Sequence, residues 1–202
     1  MPHLRGEVYI IYNVETGTEK ILTSERGIRV MNRQDIYDLL ERKGIWHIVT
    51  EHPALWSMSD VCDVEFPYPE CDAKNLFLRE KKHQNFYLVT VRGDKRVDLK
   101  RFRDEQGTRA LTFGKPEELE ALFGVVPGMV SPFGLLNDAD CQVRFYIDED
   151  FFKDPGYVAV HPNDNTATVT LKTSDLVDII REHGTEIKTV TIPEKQPFVN
   201  SL

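Results

Sequence analysis

No window of this 202-residue chain approaches the ~18 consecutive apolar residues that a membrane-spanning helix requires. The opening, MPHLRGEVYIIYNVETG, holds one short apolar run broken by polar groups and lacks a signal-peptide pattern, so a cytosolic home is expected. Cysteine is scarce. Cys62, Cys71 and Cys141 are odd in number and form no C-x-x-C, which argues against a disulfide framework and a structural zinc site. Neither G-x-S-x-G, nor a catalytic-cysteine signature, nor H-E-x-x-H occurs, and the glycines have neither dinucleotide-fingerprint nor P-loop spacing. The acids form no spaced catalytic pair, and no repeat or low-complexity linker is found. At 41% hydrophobic and 29% charged, the composition is that of a globular protein able to bury one good core.

What is present centres on Cys71–Val91, CDAKNLFLREKKHQNFYLVTV. Two apolar runs, Leu76–Leu78 and Phe86–Val91, flank a polar turn and predict paired strands. Lys74 and Asn75 stand at the mouth of the first, where a cation and an amide can face a ligand without being buried unpaired. From Lys74 to Arg103 there are 10 Lys or Arg against three acids, a local net of +7 in a chain of net −8. Such a stripe reads either as a polyanion-binding face or as a solvated hairpin with ordinary surface lysines.

Along the chain, residues 7–23 predict a hairpin turning at Glu15–Gly17. Asn32 and Asp35 then open a helix that Gly44 closes, and 45–52 follow as a strand. Ser57 and Asp60 predict a short capped helix on which Met58, Val61 and Val64 share or border one face, either as a pocket wall or as plain core. A basic helix within 92–107, a strand at 109–113 and a helix from Pro116 to Gly124 come next. The stretch 124–138, GVVPGMVSPFGLLND, combines three glycines with two prolines. Glycine permits close backbone approach and proline stiffens the path. The segment therefore reads as an oxyanion-receiving loop or as a bend between strands. Strands follow at 141–148 and in a 157–171 hairpin that ends its first strand at His161; a helix capped by Ser174 and a last strand complete the pattern. A lone histidine is more often structural than catalytic, and His161 gains interest only from its neighbours.

DAKNLFLREKKHQNFYLVTV, LFGVVPGMVSPFGLLND and VHPNDNTATVTL, in this order, resemble the ProX branch of the YbaK-like aminoacyl-tRNA editing domains, relatives of the editing insertion of bacterial prolyl-tRNA synthetase. The resemblance covers residues 33–185. It implies an α/β (α+β) fold, a mixed and partly barrelled sheet flanked by helices. Residues 1–32 then form an N-terminal extension, 33–192 the deacylase domain and 193–202 a loose tail. It also implies hydrolysis of mischarged tRNA, chiefly alanyl-tRNA carrying the proline anticodon, without metal, cofactor or covalent intermediate. Lys74 matches the family's essential lysine and Asn75 its neighbour; Gly128–Pro132, GMVSP, matches its G-x-x-x-P loop, and His161 the histidine near the aminoacyl-adenosine end.

On that basis Lys74 orients the acylated adenosine, Asn75 and His161 hold its polar edges, and the amides around Gly128 and Ser131 receive the carbonyl oxygen. Met58, Val61 and Val64, with Pro132, bound the size-selective pocket. Lys81, Lys82, Arg96, Lys100 and Arg101 meet acceptor-stem phosphates. The implied partners are the acceptor end of mischarged tRNA and prolyl-tRNA synthetase, with no membrane. Met129 is bulkier than the small residue expected in that loop, and residues 1–32 carry no matching motif. A non-catalytic sensor of aminoacyl-adenosine and a protein-binding module are the other readings. The first would bind without turnover, and the second leaves the Lys-Asn and Gly/Pro signatures idle.

Overall fold

The computed structural model describes residues 8–13, 18–23, 30–54, 64–82 and 85–195. The chain divides into two compact units, Met1–Val30 and Met31–Leu202. The first holds the expected hairpin, β1 (Val8–Asn13) paired antiparallel with β2 (Thr18–Thr23), with Asn13 opposite Thr18.

The second unit opens with α1 (Arg33–Arg42), capped as its sequence predicts. The Asn32 side chain accepts from the Gln34 and Asp35 amides, and the Asp35 carboxylate accepts from the Asn32 amide. Ile36 and Leu40, one helical turn apart, are fully buried. There follow β3 (His47–Glu51), β4 (Ala73–Glu80), β5 (Phe86–Arg92), α2 (Leu99–Gln106), β6 (Leu111–Phe113), α3 (Pro116–Phe123), β7 (Val143–Asp148), β8 (Tyr157–Val160), β9 (Ala167–Lys172), α4 (Thr173–His183) and β10 (Ile187–Val190). The order β10-β7-β5-β4-β6 makes one mixed sheet, with β7 parallel to both neighbours and β4 antiparallel to both of its own. β3-β9-β8 make a second, antiparallel sheet. The two join through one parallel bridge, Asp72 to Ala159, an open arrangement of curved sheets with helices against them.

Pleat alternation gives each sheet an inner face. Phe77, Phe86, Leu88, Phe145 and Ile147 of the larger sheet and Val158, Val160, Val169 and Leu171 of the smaller meet in one core with α1, α3 and α4. The alternate residues Leu76, Leu78, Tyr87, Val89, Val91 and Tyr146 form a second apolar layer under Phe102 of α2 and Ile192.

Three local expectations change. Ser174 lies inside α4 rather than capping it, because the helix starts at Thr173, two residues earlier than a Ser174 cap requires: the Thr173 amide donates to the Gly156 carbonyl and its hydroxyl to that of Phe151. The second half of 124–138 is a 3-10 helix, Pro132–Asn137, capped by Ser131. The tail is tied down at its start, where the Asp98 amide donates to Pro193 and the Lys195 amide to Arg96. The short helix expected around Met58 and Val61 lies outside the described residues; Val64 is half-buried.

Candidate functional site

The Asp72–Ala159 bridge aligns four strands on the face turned away from the main core. Ile48 pairs with Thr170, Thr170 with Ala159, and Ala159 with Asp72. One step along, Thr50 pairs with Thr168, while His161 and Lys74 each stand two residues beyond a bridge partner. With a side-chain period of two, the register places Lys74 and His161 on that same outer face. It gives Asn75 the inner face, where the Asn75 Oδ1 accepts from the buried Thr90 hydroxyl at 2.7 Å. Thr168 and Thr170 are 7% and 1% exposed, so this outer face is covered, not solvated. The chain beyond β3 crosses back over it: Phe66 meets His52 edge-on and Tyr68 meets Tyr157.

The Gly/Pro loop reaches the same place. Ser131 is fully buried; its hydroxyl donates to the His161 carbonyl at 2.5 Å and accepts from the Phe133 amide at 3.3 Å. It is committed to structure, fastening the loop to the end of β8. Gly128 has φ +90, a conformation only glycine adopts cheaply. Pro132 is buried at the start of the 3-10 helix. Gly134 packs so closely that a Cβ would stand 2.8 Å from the Phe123 ring. The Met129 amide donates to the Val126 carbonyl, whereas among the described residues those of Gly128, Val130 and Ser131 have no acceptor. They are the amides available to an incoming oxyanion.

Burial pushes the His161 imidazole down to about 4, against weaker opposing effects of the Val130 carbonyl and Asp164. The ring is therefore neutral at physiological pH, and its buried Nδ1 has no hydrogen-bond partner. It can donate or accept a hydrogen bond, but it brings no positive charge.

Lys74 is anchored from beneath. Its ammonium donates to the Gly93 carbonyl at 3.0 Å and to that of Lys95. Burial lowers its pKa, while Asp94, Glu194 and Asp72 act to raise it. The carbonyl-bearing turn is held in place by Lys95, 8% exposed, whose Nζ lies 2.8 Å from Asp148 Oδ2 and 2.5 Å from Asp150 Oδ2. Lys95 thus contributes to the +7 stripe in sequence while being sequestered in space. Among the described residues no group of three or more His, Cys, Asp or Glu could hold a metal ion, and no helix is long and apolar enough to cross a membrane.

The aminoacyl-tRNA editing domain family matches residues 53–179. This chain belongs to that family. It is 32% identical over 160 residues to the prolyl-tRNA editing protein ProX of Acetoanaerobium sticklandii, covering 79% of this chain and 97% of that protein. It is 29% identical over 140 residues to prolyl-tRNA synthetase associated domain-containing protein 1 of Mus musculus, covering 67% and 82%. A crystal structure of a candidate trans-editing enzyme for prolyl-tRNA synthetase superposes with a TM-score of 0.58 at 23% identity, over 80% of this chain and 97% of that one. That likeness concerns the fold, and it agrees with the mixed, partly barrelled sheet expected from sequence.

Within this editing domain the basic residues separate into two groups. Arg96, Lys100 and Arg101 are exposed at the Lys74 end of the sheet, with Arg101 paired to Glu105 at 3.2 Å. Lys81 and Lys82 are exposed beyond the far end of β4, about 23 Å from Lys74 along a strand rising ~3.3 Å per residue. Arg79, Arg92 and Arg103 are engaged by Glu118, Asp94 and Asp104. Sequence reasoning passed over Asp72, Thr168 and Thr170. The signal for Asp72 was available, since it stands two residues before Lys74 and a strand there puts both on one face; the threonines needed the β8–β9 register.

Proposed function

We propose that this chain is an aminoacyl-tRNA deacylase acting in trans on mischarged tRNA, with alanyl-tRNA bearing the proline anticodon as its principal substrate and prolyl-tRNA synthetase as the enzyme whose errors it removes. The observation that carries the proposal is convergence. Lys74 and His161 occupy one outer row of the sheets, and Val130 and Ser131 of the Gly/Pro loop stand against His161. The names of the relatives supply the substrate class.

The chemistry follows from what the site holds. An activated ester needs polarisation and a positioned water more than it needs a protein nucleophile. The Gly128 and Val130 amides stabilise charge developing on the ester oxygen without reorganising. Lys74 orients the acylated adenosine from its carbonyl cradle, and neutral His161 offers a hydrogen bond without repelling a cationic aminoacyl group. Asn75, tied to Thr90 on the inner face, positions β4 beneath Lys74. Lys81, Lys82, Arg96, Lys100 and Arg101 contact RNA phosphates, the group nearest Lys74 meeting the acceptor stem first. Val64 borders the size-selective wall. Such a second sieve is needed because a synthetase pocket separates neighbouring small side chains by only ~1–3 kcal/mol.

The test is release of amino acid from a panel of mischarged tRNAs by the wild type and by Lys74→Ala. Rapid release of alanine from the proline tRNA, lost in Lys74→Ala, is the expected result. Release unaffected by Lys74→Ala removes Lys74 from the mechanism. Tight binding of every substrate with no release from any overturns the deacylase in favour of a sensor.

A further inference from the structure

The outer face holds one carboxyl and one hydroxyl that the proposed hydrolysis has not used. Ala159 has the smallest side chain in its row and stands between Thr170 on one side and Asp72 on the other. Thr170 is 1% exposed, and its hydroxyl has no hydrogen-bond partner. A buried hydroxyl in that condition costs stability unless something completes it. Thr168, one row along, is satisfied by His52 Nε2 at 2.9 Å, so the open position belongs to Thr170. Asp72 is half-buried. Its carboxyl accepts from the Ala73 amide and feels Lys74, yet the Lys74 ammonium is occupied by the carbonyls of Gly93 and Lys95. A carboxylate has room for about four hydrogen bonds, so acceptor capacity remains.

We infer that Asp72, with the Thr170 hydroxyl, binds the α-ammonium group of the aminoacyl ester over Ala159. This inference rests on the deacylase reading and adds to it the group that recognises the amino acid as an amino acid. An aminoacyl ester presents one cation close to its carbonyl, and a covered site must supply an anion for it. Lys74 and His161 are the other titratable groups of the two rows. The first is turned to backbone carbonyls, and the second is neutral. Asp72 is thus the anion these rows provide. Burial raises its pKa to about 6, so it is ionised at neutral pH, and a bound ammonium would hold it so more firmly.

The experiment compares alanyl-tRNA with N-acetylalanyl-tRNA, which keeps the ester and loses the cation, in single-turnover hydrolysis by the full chain. The wild type is expected to need a concentration of the acetylated substrate higher by on the order of tenfold or more, with a smaller change in maximal rate. Asp72→Asn is expected to weaken use of alanyl-tRNA by a similar factor and to abolish the preference between the two substrates. Equal use of both by the wild type overturns the inference while leaving the deacylase intact. So does an Asp72→Asn variant that slows both substrates alike and keeps the preference, the pattern of a general base or a purely structural carboxylate. Failure of the wild type to release alanine from either substrate removes the deacylase reading and this inference with it. Should Asp72→Asn not fold, Asp72→Ser replaces it, and the wild-type comparison decides by itself.

Discussion

Replacing Lys95 with methionine tests the support beneath the site. Lys95 Nζ stands 2.8 Å from Asp148 Oδ2 and 3.0 Å from its Oδ1, and Asp148 is fully buried. At that separation the attraction is about 6 kcal/mol with an effective dielectric of ~20, and desolvation of both groups opposes much of it. Methionine keeps most of the stem's volume and removes the charge, so the loss falls on Asp148, left as an uncompensated buried anion. Asp150 retains Lys153 and suffers less. Breaking such a pair costs ~3–5 kcal/mol, which for a domain of this size lowers Tm by roughly 6–20 °C. The assay is urea and thermal unfolding of Lys95→Met, Asp148→Asn and the double variant. The double variant should recover at least half of the loss, because it removes the stranded charge and retains an acceptor for the Asp150 amide, bonded at 3.2 Å. A single-variant cost below about 1 kcal/mol, or a double variant no better than the single, refutes the reasoning.

Ser131→Ala should destabilise by about 1–3 kcal/mol, since it leaves the His161 carbonyl without its hydroxyl donor. It should also slow deacylation by loosening the loop; chemical denaturation and single-turnover rates check the two effects. His161 titrates near 4 when folded, against an ordinary value of 6.5, so the unfolded chain takes up a proton first as pH falls. The contribution is intact above pH 6.5, and by pH 4 it is a loss on the order of 3 kcal/mol. Asp72, raised to about 6, acts in the opposite sense over much of this range. The measurement is therefore the stability difference between wild type and His161→Gln, which should shift in favour of the variant as the medium is acidified. Arg96→Ala and Lys100→Ala should each reduce the slope of log K for tRNA against log salt by about 1, and an unchanged slope removes that residue from the RNA contact.

Local chemistry was legible from the chain because its causes are local. Asn32 and Asp35 cap α1 by reaching amides three residues away, and Gly124 and Gly184 end α3 and α4 with φ of +67 and +107. Two short apolar runs, Leu76–Leu78 and Phe86–Val91, rich in aromatic and branched side chains around a polar turn, were enough to predict the central hairpin, and three separated motifs pointed to the family. The charge of the stripe was equally visible, but its distribution was not. Whether Lys95 faces RNA or a buried carboxylate pair depends on β7, some 50 residues later in the chain. Ser131 could be singled out as a loop residue, whereas its service to the His161 carbonyl required two distant segments to meet.

The sequence by itself determined most of the described strands and helices, the caps of α1 and the family, because propensity, capping and hydrophobic period act within a few residues of their cause. Tertiary structure alone decided which side chains share a face. The bridge from Asp72 to Ala159 sets the register between two sheets, and one residue of slip would send His161 to the side opposite Lys74 and Asp72. That bridge depends on how two curved sheets close around a common core, a long-range packing outcome that no window of the chain contains.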